Sequence, residues 1–448
     1  MRELFDPETI VVIGASGKEG KVGNLIFRYL SESKAEVYPV NPNEAEISGK
    51  KCYRSVKDID ADMDLAVICT PAKVCVENVR ECAEKGVRFA IPIAGGFGEV
   101  GEEGKKLEGA MRRCAGEMRI LGPNTLGVLV PGVIDTMFLE RERSPRPKKG
   151  RIALISQSGA TAATIMNGAN LYSIGFSAFV GLGNRVDLNE NDFIEYFSDR
   201  EDTDAIALYL ESFADGMKFR EIVEKCEKPI IMLKAGRSTA GAKAAASHTG
   251  ALAGSDRIVS ALCDQYSITR VYDEEELIDT SRALAYSEPM RGGRIAVLTT
   301  AGGHGVIATD YITSEERGVG LSLSQLTPRT REELKKLALP FASLANPVDL
   351  TASATDEMYL KALKALMEDD NTDGVLVSVL FDPPGMTERL IDGIISMKGG
   401  KPMVIYTVGA EMSVNAIRRF EEAGIPAYPS IWRGVRALYA LYRRGVNE

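Results

Sequence analysis

The sequence predicts an α/β fold of parallel sheets in three successive domains, and three observations carry that reading. Short β-branched runs alternate with helical patterns along the chain, as parallel strands joined by crossover helices require. The first of these runs, residues 9–13 (Thr-Ile-Val-Val-Ile), opens directly into a glycine-rich turn. The later part of the chain also repeats itself, since 150–156 (Gly-Arg-Ile-Ala-Leu-Ile-Ser) is echoed by 293–299 (Gly-Arg-Ile-Ala-Val-Leu-Thr).

In the first domain, a helical pattern over 24–30 follows the glycine turn 14–23, and 36–40, 65–69, 88–93 and 119–121 complete a Rossmann-like set of strands. A strand, a glycine-rich turn and a helix start place backbone N–H groups where a phosphate binds. The alternative is a tight turn that packs the helix on the sheet. A dinucleotide is disfavoured, because the second strand ends Pro39, Val40, Asn41, Pro42 with no acid for ribose hydroxyls. A different phosphate-bearing nucleotide, such as coenzyme A, suits the loop better. Charged residues and two prolines mark 141–150 as a linker. The expected domains are therefore 1–140, 148–287 and 290–448.

The repeat continues beyond its first strand. Residues 204–212 parallel 373–381, and 228–234 parallel 401–407. The spacing between copies widens along the chain, which predicts an insertion in the second copy around 339–349. Two flavodoxin-like domains follow, with ligands expected at the carboxyl ends of strands. Ser158, Glu211, His248 and Gly302 all follow predicted strands.

The chain has 448 residues, a net charge of −9, 45% hydrophobic and 26% charged residues, which is ordinary for a globular protein. No basic run points to nucleic acid, and no apolar stretch approaches a membrane span or a signal-peptide core. The seven cysteines are odd in number and form no C-x-x-C pair, which suits a reduced, cytoplasmic protein. With only two histidines, a His- or Cys-based metal site is not expected.

Four candidate features carry chemistry. The turn Ser156, Gln157, Ser158, Gly159 lacks the G-x-S-x-G elbow, and no Ser-His-Asp order accompanies it, so it reads as a phosphate-holding helix N-terminus. The turn 301–305 (Ala-Gly-Gly-His-Gly) offers a second such terminus, and two helix dipoles aimed at one point would stabilise a phosphoryl group. Its His304 reads first as a helix cap. Glu211, after an apolar strand, either orients an imidazole or is a surface carboxylate. His248 lies in 235–254, where sixteen of twenty residues are Gly, Ala, Ser or Thr. Such a segment buries little and holds no one place, so its imidazole is either a mobile carrier of an anionic group or an incidental loop residue.

These residues, together with 38–42 (Tyr-Pro-Val-Asn-Pro), 69–72 (Cys-Thr-Pro-Ala), 96–99 (Gly-Phe-Gly-Glu), 122–124 (Gly-Pro-Asn), 181–184 (Gly-Leu-Gly-Asn) with Asp187, 210–212 (Leu-Glu-Ser), 247–254 (Ser-His-Thr-Gly-Ala-Leu-Ala-Gly) and 346–349 (Asn-Pro-Val-Asp), resemble a known family over essentially the whole chain. The chain is similar to the α subunits of ADP-forming acyl-CoA (acetyl-CoA) synthetases, in the succinyl-CoA synthetase superfamily. The resemblance implies that acyl-CoA, phosphate and ADP become carboxylic acid, coenzyme A and ATP through an acyl phosphate and a phosphohistidine.

It further implies that His248 carries the phosphoryl group on a swinging segment and that Glu211 holds it. Coenzyme A would contact Gly14, Ala15, Ser16, Lys21, Val22, Val40, Asn41, Pro42, Cys69, Thr70, Pro71, Ala72, Gly96 and Asn124. Phosphate would lie at Gln157, Ser158, Gly159, Ala160, Gly302 and Gly303. No ATP-grasp segment is recognised, so an ATP-grasp β subunit in an α2β2 heterotetramer is implied, with Mg2+ and ADP or ATP mainly on that subunit.

Two departures stand out. Relatives often have lysine after Asn-Pro, where this chain has Asn43 and Glu44, so a basic contact would come from Lys18, Lys21, Lys50 or Lys51. Relatives often have cysteine after Gly-Pro-Asn, where this chain has Thr125. Two other classes compete with the enzyme reading: a coenzyme-A-sensing module without catalysis, and a pyridine-nucleotide oxidoreductase.

Overall fold

The computed structural model describes residues 1–249, 255–316, 318–337, 339–340, 342–409 and 411–447, with side chains left out at 245–249 and 447. The described chain divides into two compact units, Met1–Asn170 with Gly175–Leu277, and Leu171–Ile174 with Ile278–Glu448. The first unit holds two large sheets and the second holds one.

The first sheet has five parallel strands in the order Glu36–Val40, Thr9–Ile13, Leu65–Ile68, Phe89–Pro92, Arg119–Ile120. Its β-branched central strands are buried on both faces, which suits residues that stack well on a pleated surface. The strand order reverses direction between Thr9–Ile13 and Leu65–Ile68. Such a switch point opens a crevice beyond the carboxyl ends, where the glycine turn and Thr70 lie.

The second sheet has seven strands in the order Thr269–Val271, Ile230–Lys234, Ala205–Leu210, Lys149–Ser156, Phe176–Gly181, Val128–Val130, Ile134–Asp135. The first five are parallel, and the last two are antiparallel. Those two strands come from the N-terminal side of the proline-bearing linker, a join that the sequence reading did not anticipate. Their pattern is short and follows Gly127, whose φ is +80° and where a Cβ would meet Thr136 Oγ1 at 2.1 Å. One continuous core runs under both sheets, from Leu4, Val12 and Ile26 to Ile155, Phe193 and Leu208. Phe5, from the first helix, stacks on Tyr196 at 4.9 Å.

The second unit is built on a sheet in the order Ser322–Leu323, Arg294–Thr299, Gly374–Ser378, Met403–Tyr406, Ala427–Tyr428. This matches the five parallel strands of the second sheet, so the sequence repeat is a repeat of topology. The expected insertion supplies Val348–Asp349, which lies parallel to the end of Arg294–Thr299.

The repeated letters have physical causes. Arg151 pairs with Asp204 across two parallel strands, and Arg294 pairs with Asp373 in the same way. Lys228 caps the carbonyls of Phe197 and Arg200, and Lys401 caps that of Asp369.

In the second unit, Arg282 is fully buried between two carboxylates. It donates to Glu421 Oε1 at 2.7 Å and Asp279 Oδ1 at 2.9 Å, with its guanidinium 3.9 Å from the centre of the Tyr428 ring. Burial pushes the Glu421 carboxyl up to about 7. Replacing Arg282 by Met would leave the buried Glu421 carboxyl without its charged partner, while Asp279 keeps Arg433 at 2.6 and 2.8 Å, and breaking such a buried pair costs about 3–5 kcal/mol. Urea unfolding followed by the fluorescence of Trp432 should show that loss, and an unchanged midpoint would contradict it.

Candidate functional site

The glycine turn begins where Thr9–Ile13 ends. Gly14 adopts φ +81° and donates its N–H to Val40 O at 2.9 Å, joining the turn to the neighbouring strand. Gly23, in the first turn of the helix Val22–Leu30, lies so close that an added Cβ would stand 1.9 Å from Gly14 O. Only glycine fits there. Asn24 Nδ2 donates to Ser16 O and Asn41 Nδ2 to Ala15 O, at 2.9 and 2.7 Å. Asn41 thus holds the turn in shape, and its Oδ1 accepts the Asn43 N–H.

Ala15 and Val40 are buried, whereas Pro42, Lys18, Lys21 and Val22 are exposed at the rim. Of the other two basic candidates, Lys50 donates to Val37 O, and Lys51 lies 4.7 Å over the ring of Tyr53. Although the second strand ends without an acid, Glu44 brings one to the turn. Its carboxylate accepts from the Gly17 N–H at 3.1 and 3.3 Å and from Ser16 Oγ at 3.3 Å.

Across the crevice, Thr70 meets the turn beside Gly14, with its hydroxyl fixed by Asn78 Nδ2 at 2.7 Å. Burial pushes the Cys69 thiol up to about 12, which disfavours a thiolate there. Pro71 and Ala72 start the helix Ala72–Lys85, and Gly96, at φ +102°, passes Ala72 closely.

A polar network then ties the separate motifs together. Asn124, at φ +58°, donates to Asn184 Oδ1, and Asn184 Nδ2 donates to Glu99 at 2.6 Å and Glu108 at 2.7 Å. Glu99 also accepts the N–H groups of Gly96 and Phe97. Burial opposes ionisation of Glu99, but the Asn184 amide and these N–H groups outweigh it and hold the carboxyl below its usual range. Asp187 anchors the same loop by accepting from Arg119 Nε and the Ile120 N–H, both at 2.9 Å.

At the carboxyl end of the second sheet, Ser156 Oγ donates to Ser158 O and accepts the Ser158 N–H. Ser158 Oγ accepts the Thr161 N–H, capping the helix Gly159–Leu171. The first-turn amides, including those of Gly159 and Ala160, point outward as helix geometry requires.

Gln157 turns its side chain the other way. Its Oε1 accepts the N–H groups of both Glu211 and Ser212, at 2.9 and 3.2 Å. Glu211 is only 6% exposed, which excludes the surface-carboxylate alternative. Lys234 lies beneath it, donating to Glu211 O at 2.7 Å and Ala235 O at 2.6 Å, and burial lowers the pKa of its ammonium.

Arg185 bonds Glu190, Ser212 O and Ser212 Oγ, and so fixes the segment after Glu211. A cavity of about 480 Å³ opens here, lined by Asn124, Leu126, Phe138, Ser158, Gly159 and Arg185 among others. It brings Asn124 together with the Ser158 turn.

His248 falls in the helix Thr239–Thr249, but its side chain and residues 250–254 lie outside the described residues. The helix is a finding that the glycine count obscured, since alanine is the strongest helix former. In the second unit, Thr299 Oγ1 donates to Ala301 O and accepts the Ala301 N–H, the same clasp as at Ser156. Gly302 and Gly303 then open the helix Gly302–Thr313. Asp349 approaches so closely that a Cβ on Gly302 would meet its Oδ2 at 2.8 Å. His304 sets its ring edge-on to Tyr406 at 5.3 Å, and its buried Nδ1 has no hydrogen-bond partner among the described residues, so its imidazole packs rather than caps.

Sequence reasoning missed Glu44, Arg185 and Lys234. The signals were weak: a carboxylate beyond the strand end, an arginine in a glycine-bearing loop, and a lysine closing an apolar strand.

Two outcomes follow. Gly23→Ala should destabilise the first unit by about 1–3 kcal/mol, as overpacking does, and a wild-type urea midpoint would contradict the close approach. Glu99 has a depressed pKa, so its stabilisation is present above the ordinary carboxylate range and fades as pH falls through the lowered value. The unfolding free energy of wild type minus Glu99→Gln should be positive at neutral pH and close as pH falls through and below the ordinary glutamate range. A difference that grows toward acid would contradict the network.

Comparison with known proteins covers nearly the whole chain. A CoA binding domain matches residues 8–131, a succinyl-CoA ligase like flavodoxin domain matches 149–284, and a ligase-CoA domain matches 295–446. The chain is 41% identical to the acetate–CoA ligase (ADP-forming) I subunit alpha of Pyrococcus furiosus, covering 99% of this chain and 97% of that one. It is 39% identical to the acetate–CoA ligase (ADP-forming) of Methanocaldococcus jannaschii, covering 99% of this chain and 63% of that longer one. Among solved structures, the dinucleotide forming acetyl-coenzyme A synthetase 1 of Ca. Korarchaeum cryptofilum, in complex with phosphate and ADP, superposes with a TM-score of 0.90 at 35% identity, covering 99% of this chain and 96% of that one. The chain therefore belongs to the family of ADP-forming acetate–CoA ligase α subunits.

Proposed function

We propose that this chain is the α subunit of an ADP-forming acyl-CoA synthetase that interconverts acyl-CoA, phosphate and ADP with carboxylic acid, coenzyme A and ATP. The observation that carries the reading is the double acceptor Gln157 Oε1. It locks Glu211 against the helix terminus at Ser158, so an acid and an anion-binding turn share one rigid frame.

Coenzyme A fits the crevice of the first sheet. The contact of Gly14 with Gly23 brings backbone close to a phosphate, and the polar network through Asn124 leads from that crevice to the cavity at Ser158. Phosphate held at the first-turn amides of Gly159 and Ala160 attacks the thioester carbonyl. The C–S bond breaks, leaving an acyl phosphate and the thiolate of coenzyme A, which takes a proton.

His248 then attacks the phosphorus, releasing the carboxylate and leaving the phosphoryl group on its imidazole. Glu211 orients that ring by accepting its other N–H. Transfer from the phosphohistidine to ADP regenerates histidine and yields ATP. The carrier segment is rich in alanine and glycine, side chains with little apolar surface to offer, as a segment that must leave its dock requires.

The ADP step belongs, on this reading, to an ATP-grasp β subunit in an α2β2 assembly, with Mg2+ bound there alongside the nucleotide. Among the described residues, no helix is long and apolar enough to cross a membrane, and all seven cysteines are free thiols. A reducing, cytoplasmic setting suits them.

Incubation with acetyl-CoA and radiolabelled phosphate should leave an acid-labile, base-stable label on the chain. Substitution His248→Ala should abolish it, and Glu211→Gln should slow its formation by at least about 100-fold. A label that persists in His248→Ala would sink the assignment.

A further inference from the structure

The glycine turn already holds an anion, and the chain itself supplies it. Glu44 stands beyond the end of the second strand, where its own N–H donates to Asn41 O across a tight turn. Its carboxylate reaches back to the Gly17 N–H with both oxygens and to the Ser16 hydroxyl. A Cβ on Gly17 would stand 3.0 Å from Glu44 Oε2, so glycine at this position lets the carboxylate reach the backbone. The Ser16 hydroxyl is also committed on its other side, accepting the Lys18 N–H. Lys18 and Lys21 stand exposed on the same turn and would draw in a ligand phosphate. A carboxylate and a phosphate cannot share the Gly17 amide, since charge repulsion and the single donor both forbid it.

We propose that Glu44 is a built-in competitor for the phosphate position of the glycine turn, displaced when coenzyme A binds. This rests on the reading that coenzyme A occupies the first sheet. The carboxylate satisfies loop donors, so it holds the turn in shape, and it sets a penalty on the phosphates of the nucleotide. The pantetheine arm, which carries no charge, is spared that penalty.

Titration calorimetry of wild type, Glu44→Gln and Glu44→Ala with coenzyme A and with pantetheine tests the proposal. Both substitutions should tighten coenzyme A by roughly three- to tenfold while leaving pantetheine unchanged. The gain should shrink as salt is raised, because screening weakens the repulsion that the substitutions remove. Weaker or equal binding of coenzyme A in both variants, with wild type binding normally, would overturn the competitor role and leave the coenzyme reading standing. Absence of coenzyme A binding in all three chains would overturn both.

Discussion

The amide oxygen of Gln157 accepts two backbone N–H groups at once, and the geometry of the second sheet's functional edge depends on it. Without that acceptor, Glu211 and Ser212 would each leave a buried donor unsatisfied, at a cost of about 1–3 kcal/mol per group. With it, the residue that follows one strand is fixed relative to the residue that follows the next. Arg185 secures the same segment from the far side through Glu190 and Ser212, and Lys234 supports it from below. The backbone that carries Glu211 is therefore fixed by the fold itself, which is what preorganisation means in structural terms.

The first sheet solves a related problem with backbone instead of side chains. Gly14 and Gly23 approach so closely that neither turn nor helix can shift, and Asn41 and Asn24 spend their amides holding that shape. The network through Glu99, Asn184 and Asn124 then carries this rigidity from one sheet to the other, because its members come from both. The shared core beneath has the same span. Two sheets that look separable in sequence are thus one mechanical body.

Much of this was legible in the sequence, for definite reasons. Parallel strands buried on both faces read as apolar β-branched runs, and glycine turns at strand ends are visible letter by letter. The repeat was legible because its recurring Arg, Asp and Lys make matching contacts in each copy, so the same contact calls for the same letters. What the sequence concealed involved reach. Asn41 marks a strand end without an acid, yet Glu44 returns to the turn through space. Arg185 and Lys234 gain their roles from segments that meet only in the folded chain. The alanine-rich segment 235–254 read as slack because its glycines drew notice, while its alanines specify the helix Thr239–Thr249.

The antiparallel strands Val128–Val130 and Ile134–Asp135 carry one more consequence. They precede the proline-bearing linker, yet Val128–Val130 hydrogen-bonds to Phe176–Gly181, beyond it, and Ile134–Asp135 pairs in turn with Val128–Val130. In the corresponding sheet of the second unit, that side ends at Ser322–Leu323. A cut at the linker would therefore tear Val128–Val130, with Ile134–Asp135 beside it, from its neighbour and bare a row of backbone donors and acceptors, the kind of edge to which other chains adhere. The N-terminal module is accordingly no interchangeable cassette. Its last stretch of sequence is on permanent loan to the next sheet, and recombination at this junction must carry the loan with it.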